Sequence, residues 1–239
     1  MSRHRSNNEF LNAGPFRLAT VTVLGLLTLF FVVILLSLLT CTSLSTLLTV
    51  LTSPEILFAV RLSLTTATIA AVISMLVAIP VAYALSQTTF PGKAIIDTIL
   101  DLPIVVSPIA LGAALLVFFN TAAGEAIENR LMRFVFEVPG IVLAQFTIVN
   151  ALAIRLLKST FDSIDPRYEQ VGRTLGYTKT GAFIRITLPL ARNGLIAAFV
   201  LTWARALGEF GATVTLAGAM KMKTETLPVA IFLNLATAD

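Results

Sequence analysis

Long apolar runs separated by short polar stretches organise this chain. Residues 18–40 carry no charge, and residues 59–86, 102–119, 139–157 and 193–218 form four further runs. Crossing a ~30 Å hydrocarbon core takes about 20 helical residues, so each run is of spanning length. The runs are continuous and lack the alternation of the roughly 10-residue strands of a membrane barrel. Helices satisfy their own backbone in lipid, so the pattern predicts an all-α polytopic membrane protein with five transmembrane helices. A further apolar piece, residues 227–235, is too short to span by itself.

Prolines and glycines refine the runs. Pro80 lies inside the second and is expected to kink it. Pro103 and Pro108 fall in the first turns of the third, with Gly112 after them, and Pro139 opens the fourth. Pro91-Gly92 marks a turn in the connection 87–102. Residues 120–138 form a loop of mixed charge with room for a short surface helix.

Composition agrees with lipid as the solvent: 56% of residues are hydrophobic and 13% charged, against about 25% charged in soluble domains. The net charge of +4 invites a nucleic-acid reading, but its distribution favours topology. With residues 1–17 in the cytoplasm, eleven Lys and Arg fall on inner segments and five on outer ones, as the positive-inside rule requires. Residues 18–40 exceed a signal-peptide apolar core, and no small-residue cleavage site follows, so they read as a retained span. The expected location is the plasma membrane, multi-pass, with no nucleic-acid partner. Cys41 and His4 are the only residues of their kinds. That excludes an internal disulfide, a metal site built on His and Cys, and a His-based triad. No G-x-x-x-x-G-K-[ST] occurs, so the sequence holds no P-loop for ATP phosphates, and nothing in it asks for a cofactor.

The longest basic interruption, residues 158–192, is patterned. Asp165-Pro166 reads as a helix start, Asp capping and Pro in the first turn. Tyr168, Val171 and Leu175 then share one apolar stripe, with Arg167, Glu169, Gln170 and Arg173 on the other faces. Gly176 is placed as a left-handed C-terminal cap. A second short helix starts at Thr178 or Thr180, turns Phe183 and Ile186 inward and ends at Leu188-Pro189. On physics alone this is either a solvated connection or a docking element, since an apolar stripe beside a membrane needs a cover. Lipid headgroups, the chain's own spans or a partner protein would each serve.

Gly176, nine residues, then Ile186-Thr187-Leu188-Pro189 resembles the EAA signature of ABC importer permease subunits. Its start departs from that signature: Gln170-Val171-Gly172 stands where Glu-Ala-Ala would, with Glu169 one residue earlier. FPGK with Asp97, then Leu102-Pro103 and Pro108, resembles the molybdate/sulfate branch. WARALGEFGATVTLAG and TETLPVAI, within residues 203–231, resemble molybdate and tungstate permeases. The resemblance implies a permease domain over residues 59–239. It also implies a second permease copy, an ATPase dimer on the cytoplasmic side and an external binding protein. Coupling to the ATPase would fall to Asp165, Arg167, Glu169, Gln170, Arg173, Leu175, Gly176, Phe183, Leu188 and Pro189. Sulfate or another oxyanion, or a non-transporting scaffold, are the competing readings. The resemblance also implies a sixth span beginning where the sequence stops at Asp239; five spans from an inner N-terminus put the C-terminus outside.

Inside the fifth run, Arg205 and Glu209 are four residues apart and share a helix face. They either lock packing as a neutral pair or line an oxyanion path. Gly208 and Gly211 flank Glu209 and would let another helix approach. Gln145 and Asn150 in the fourth run read as interhelical hydrogen-bond partners.

Overall fold

The structure, a computed structural model, describes residues 14–40 and 49–237. Arg3, His4, Arg5 and Cys41 lie outside the described residues, and the expectations placed on them go no further. The chain divides into two units, Met1–Ser53 and Pro54–Asp239. Every regular element among the described residues is a helix.

The first unit contains α1, Pro15–Thr40, a 26-residue helix. At 1.5 Å per residue it is about 39 Å long, enough to span with tilt. The hydroxyls of Thr20, Thr22, Thr28 and Ser37 donate to carbonyls three or four residues back, at 2.7–2.9 Å. This local bonding lets polar residues sit in hydrocarbon without an unsatisfied donor.

The second unit is built on α2 (Pro54–Gln87), which contains Pro80 as read, and on a later helix that runs along it, Val138–Asp162. Between them come α3 (Lys93–Val105), α4 (Pro108–Phe119) and α5 (Ala122–Arg130). The long helix Val138–Asp162 is then α6. The buried face of α2 is a stripe of small residues, among them Ala59, Ser63, Ala67, Ala70, Ser74, Ala78 and Ala82. Small side chains let backbones close in where packing, not water, drives association. Larger α6 residues fill the seam: Ile141, Ile148, Leu157 and Phe161 are all buried. Pro139 sits in the first turn of α6, as read.

Three helices are long and apolar enough to cross a membrane alone, and counting two bent pairs as single spans gives five. The first bent pair departs from the sequence reading, while the second, Lys179–Leu190 with Arg192–Leu207 at 72°, breaks between the second short helix and the fifth run, as read. The connection 87–102 is largely helical, and residues 102–105 belong to α3, so the third run is not one helix. α3 and α4 meet at 109°. Ser107, the residue before Pro108, is pushed out of the helical region (φ −62°, ψ 142°). Its hydroxyl accepts from Ala110 N at 3.3 Å and starts α4 afresh. Pro91-Gly92 does make its turn, with Gly92 at φ +85°.

An ion-pair cluster absent from the sequence reading fastens α3 to α6. Lys158 Nζ lies 2.9 Å from Asp97, Arg155 Nη1 lies 3.3 Å from Asp97, and Arg155 also pairs with Asp101. Residues 97 and 101 share one helix face, as do 155 and 158.

The fifth run is also broken. After α6 come α7 (Arg167–Thr174) and α8 (Lys179–Ala182), a π-helical turn Phe183–Thr187 and a turn Leu188–Leu190. Then α9 (Arg192–Leu207) stops at Gly208, and α10 (Gly211–Ala217) restarts beyond Phe210. Buried Glu209 causes the restart: its Oε1 accepts from Ala212 N at 3.1 Å, capping α10. α10 is buried against α4 and α6. α11, Leu227–Thr237, is an apolar helix shorter than a span.

A Cβ at Gly112 of α4 would lie 2.8 Å from Ala212 Cα and 2.9 Å from its carbonyl oxygen. Backbone cannot yield as a flexible side chain can. Gly112→Val is therefore expected to destabilise by about 1–3 kcal/mol or more. Thermal unfolding in detergent should show a clear drop, while Gly208→Ala, with only Ala204 O at 3.8 Å, should sit near wild type.

Candidate functional site

The stretch 165–190 forms a hydrogen-bonded element at one end of the α2–α6 pair. Asp165 Oδ1 accepts from Arg167 N at 2.9 Å, the cap read from the sequence. α7 ends at Gly176, whose φ of +93° is the left-handed conformation expected of it. Gly176 N donates to Arg173 O, and Tyr177 N to Gly172 O. These are the two bonds of a Schellman ending. A side chain at Gly176 would cost about 1–2 kcal/mol of backbone strain. Thr178 Oγ1 accepts from Gly181 N at 3.1 Å and opens α8.

The second piece runs on to Leu190, one residue beyond the Pro189 expected to end it. Leu188 N reaches back five residues to Phe183 O just before Pro189. Proline has no N–H to donate, and its ring collides with a carbonyl four residues back in a regular helix. The wider π turn absorbs that conflict.

Glu169 is the joint of the element. Its Oε2 accepts from Tyr83 Oη at 2.8 Å, near the end of α2, and its Oε1 accepts from the buried Thr187 hydroxyl. One carboxylate thus ties α7, the π turn and a long helix of the bundle together. Phe183 packs beside it, with ring centroids 4.4 Å from Tyr83 and 6.2 Å from Phe161. Ile186 packs against Gly172, its Cδ1 filling the space a Cβ there would need. This explains a glycine where the signature has alanine. Phe183 and Ile186 are half-buried, inward as read.

The stripe of α7 faces away from this joint. Tyr168, Val171 and Leu175 are 57%, 58% and 76% exposed, so the described helices of their own unit do not cover them. Beside the stripe, a cleft of about 440 Å³ is lined by Tyr83, Asp162, Glu169, Gln170, Arg173 and Lys179 among others. Arg167 and Pro189 are exposed and Leu188 half-buried. Arg185 lies 5.4 Å over the Tyr177 ring.

At the end of α9, Arg205 Nη1 is 2.6 Å from Glu209 Oε2, the Glu209 side chain being buried and that of Arg205 39% exposed. Gly211 makes the close helix approach expected of this region, since a Cβ there would lie 2.9 Å from Ile109 Cγ1. Gly208 does not: a Cβ there would meet only Ala204 O, at 3.8 Å. Gln145 Oε1 and Asn150 Oδ1 are buried without partners, which corrects the expectation of hydrogen bonds through those atoms.

Tyr83 and Thr187 were missed by sequence reasoning. A tyrosine three residues past Pro80 at the end of an apolar run was the one visible signal for the first.

Residues 78–231 match the family described as binding-protein-dependent transport system inner membrane component. The molybdenum transport system permease protein ModB of Escherichia coli (strain K12) is 38% identical over 191 residues, covering 79% of this chain and 83% of that protein. The probable molybdenum ABC transporter permease protein of Haloferax volcanii is 35% identical over 216 residues, covering 90% and 78%. The sulfate transport system permease protein CysT of Escherichia coli (strain K12) is 29% identical over 192 residues, covering 80% and 69%. Among solved structures, a bacterial ABC transporter that imports the acidic polysaccharide alginate superposes with a TM-score of 0.72 at 15% identity. It covers 92% of this chain and 84% of its own. At that identity the likeness speaks for the fold.

Proposed function

The chain belongs to the binding-protein-dependent transport system inner membrane components, and from that membership we propose that it carries molybdate or tungstate across the membrane. It is a permease subunit of the ABC importer type, a multi-pass membrane protein. The substrate reading rests on relatives named for molybdenum transport at 38% and 35% identity, above relatives named for sulfate transport at 29% and 32%.

Residues 165–190 are the point where a separate cytoplasmic ATPase pushes. The observation that carries this is the exposed stripe of Tyr168, Val171 and Leu175 on a helix fastened behind, through Glu169, to Tyr83 and Thr187. The stripe offers apolar area to a partner, and the joint passes a push on α7 into α2. Asp165 and Gly176 fix the ends of α7, Arg167 supplies exposed charge, and Gln170 and Arg173 line the adjoining cleft. Two copies pair around the path, an external protein delivers the oxyanion, and ATP binding rocks the bundle between its two openings. In this arrangement the N-terminus and the 165–190 element face the cytoplasm.

The test is uptake of radiolabelled molybdate into proteoliposomes holding the full chain, its ATPase and its binding protein. ATP-dependent uptake that a hundredfold excess of sulfate does not suppress is expected. Equal competition by sulfate would replace molybdate with a broader oxyanion specificity, and no uptake of either would remove the transport reading.

A further inference from the structure

Resting on the permease reading above, we infer that Arg205 is the residue that meets the anion in transit, in a cavity at the break between α3 and α4. The cavity holds about 270 Å³ and is lined by Ile104, Val106, Pro108, Ile148, Leu152 and Arg205, among others. Arg205 is its one charged lining residue. A water occupies about 30 Å³, so a tetrahedral oxyanion fits with part of its hydration shell.

Three observations converge on this place. Arg205 lies thirteen residues beyond Arg192 on α9, about 20 Å along the axis, which is inside a ~30 Å core. A partly exposed guanidinium at that depth has to face water or an anion, because hydrocarbon penalises it heavily. The backbone is also broken here: α3 ends at Val105 and α4 restarts at Pro108 at 109°. Broken helices at membrane depth occur where backbone lines a cavity, and in transporters they mark where the substrate passes.

The third observation is how unequally the pair is engaged. Glu209 is fully committed, with Oε2 on Arg205 and Oε1 on Ala212 N. Arg205 has five N–H donors, and its one ion-pair partner among the described residues is Glu209, on Nη1. Releasing Glu209 would strand a buried, unpaired carboxylate, which is strongly destabilising. Arg205 therefore stays paired and offers its remaining donors to the passing anion. The neutralised pair attracts a dianion weakly, which suits a path: firm enough to admit the ion, too weak to hold it.

A packing lock would use the same two residues, so the test separates charge from shape. In the reconstituted complex, Arg205→Gln with Glu209→Gln removes both charges together; the second change is isosteric and the first shortens the side chain, so thermal unfolding is read alongside uptake. ATPase association should persist and molybdate uptake should fall at least tenfold. Uptake at the wild-type rate would overturn the inference and leave a packing pair. Should that variant fail to assemble, Arg205→Lys decides the matter, because it keeps the ion pair but loses the planar fork of donors. Several-fold slower uptake at unchanged thermal stability is expected, and unchanged uptake would overturn the inference. If the unaltered complex moves no oxyanion, it is the permease reading that fails.

Discussion

Glu169→Ala is expected to lower ATP-driven uptake at least tenfold while the ATPase stays bound. The carboxylate bridges Tyr83 Oη and the Thr187 hydroxyl, one on α2 and one on the π turn. A hydrogen bond to a charged group contributes about 1.5–3 kcal/mol where partly shielded. Losing both frees α7 to move without dragging α2. The docking stripe, on another face of α7, is untouched, so ATP hydrolysis should continue uncoupled from transport. Tyr83→Phe should give a smaller loss by the same route. Combined with Glu169→Ala it should add little, since residues acting through one contact are non-additive. Strictly multiplicative losses in uptake would show that Glu169 and Tyr83 act separately.

Val171→Asp with Leu175→Asp is expected to remove the ATPase from the complex. Burying an aliphatic side chain contributes about 1.5–3 kcal/mol, and a buried unpaired carboxylate adds a further cost. About 1.4 kcal/mol corresponds to a tenfold change in affinity, so the pair should weaken association at least a hundredfold. Both side chains are more than half exposed, so folding of the permease itself should hardly change. Pull-down of the ATPase on the purified permease, with thermal unfolding alongside, reads both. Undiminished pull-down would mean that lipid, and not the ATPase, covers the stripe.

Local chemistry accounts for what the sequence disclosed. Asp165-Pro166 and Gly176 were legible because capping and positive φ depend on residue type within a few positions. The five apolar runs were legible because span length follows from bilayer thickness. Both helix breaks were not. At Ser107 the cause is the residue before a proline, and Pro103, which is accommodated inside α3, carried the same apparent signal. At Gly208–Phe210 the cause is a buried carboxylate that caps α10, and only burial distinguishes Glu209 as a cap from Glu209 as a helix-face charge. The Glu169 joint was hidden for a different reason: Tyr83 stands 86 residues away, and no periodicity connects them. The Gln170-Val171-Gly172 start departs from the signature at three adjacent positions. The structure gives it an internal purpose, with Glu169 turned to the bundle and Gly172 yielding its space to Ile186.

On the proposed function, ATP energy enters through α7. A photo-crosslinking amino acid placed at Leu175 of the intact, reconstituted complex tests it most directly, with one at Glu125 on α5 as control. An adduct between position 175 and the ATPase is expected, its yield changing when ATP is added, with none from position 125. An intact complex that imports oxyanion yet gives no ATPase adduct from position 175 would contradict it.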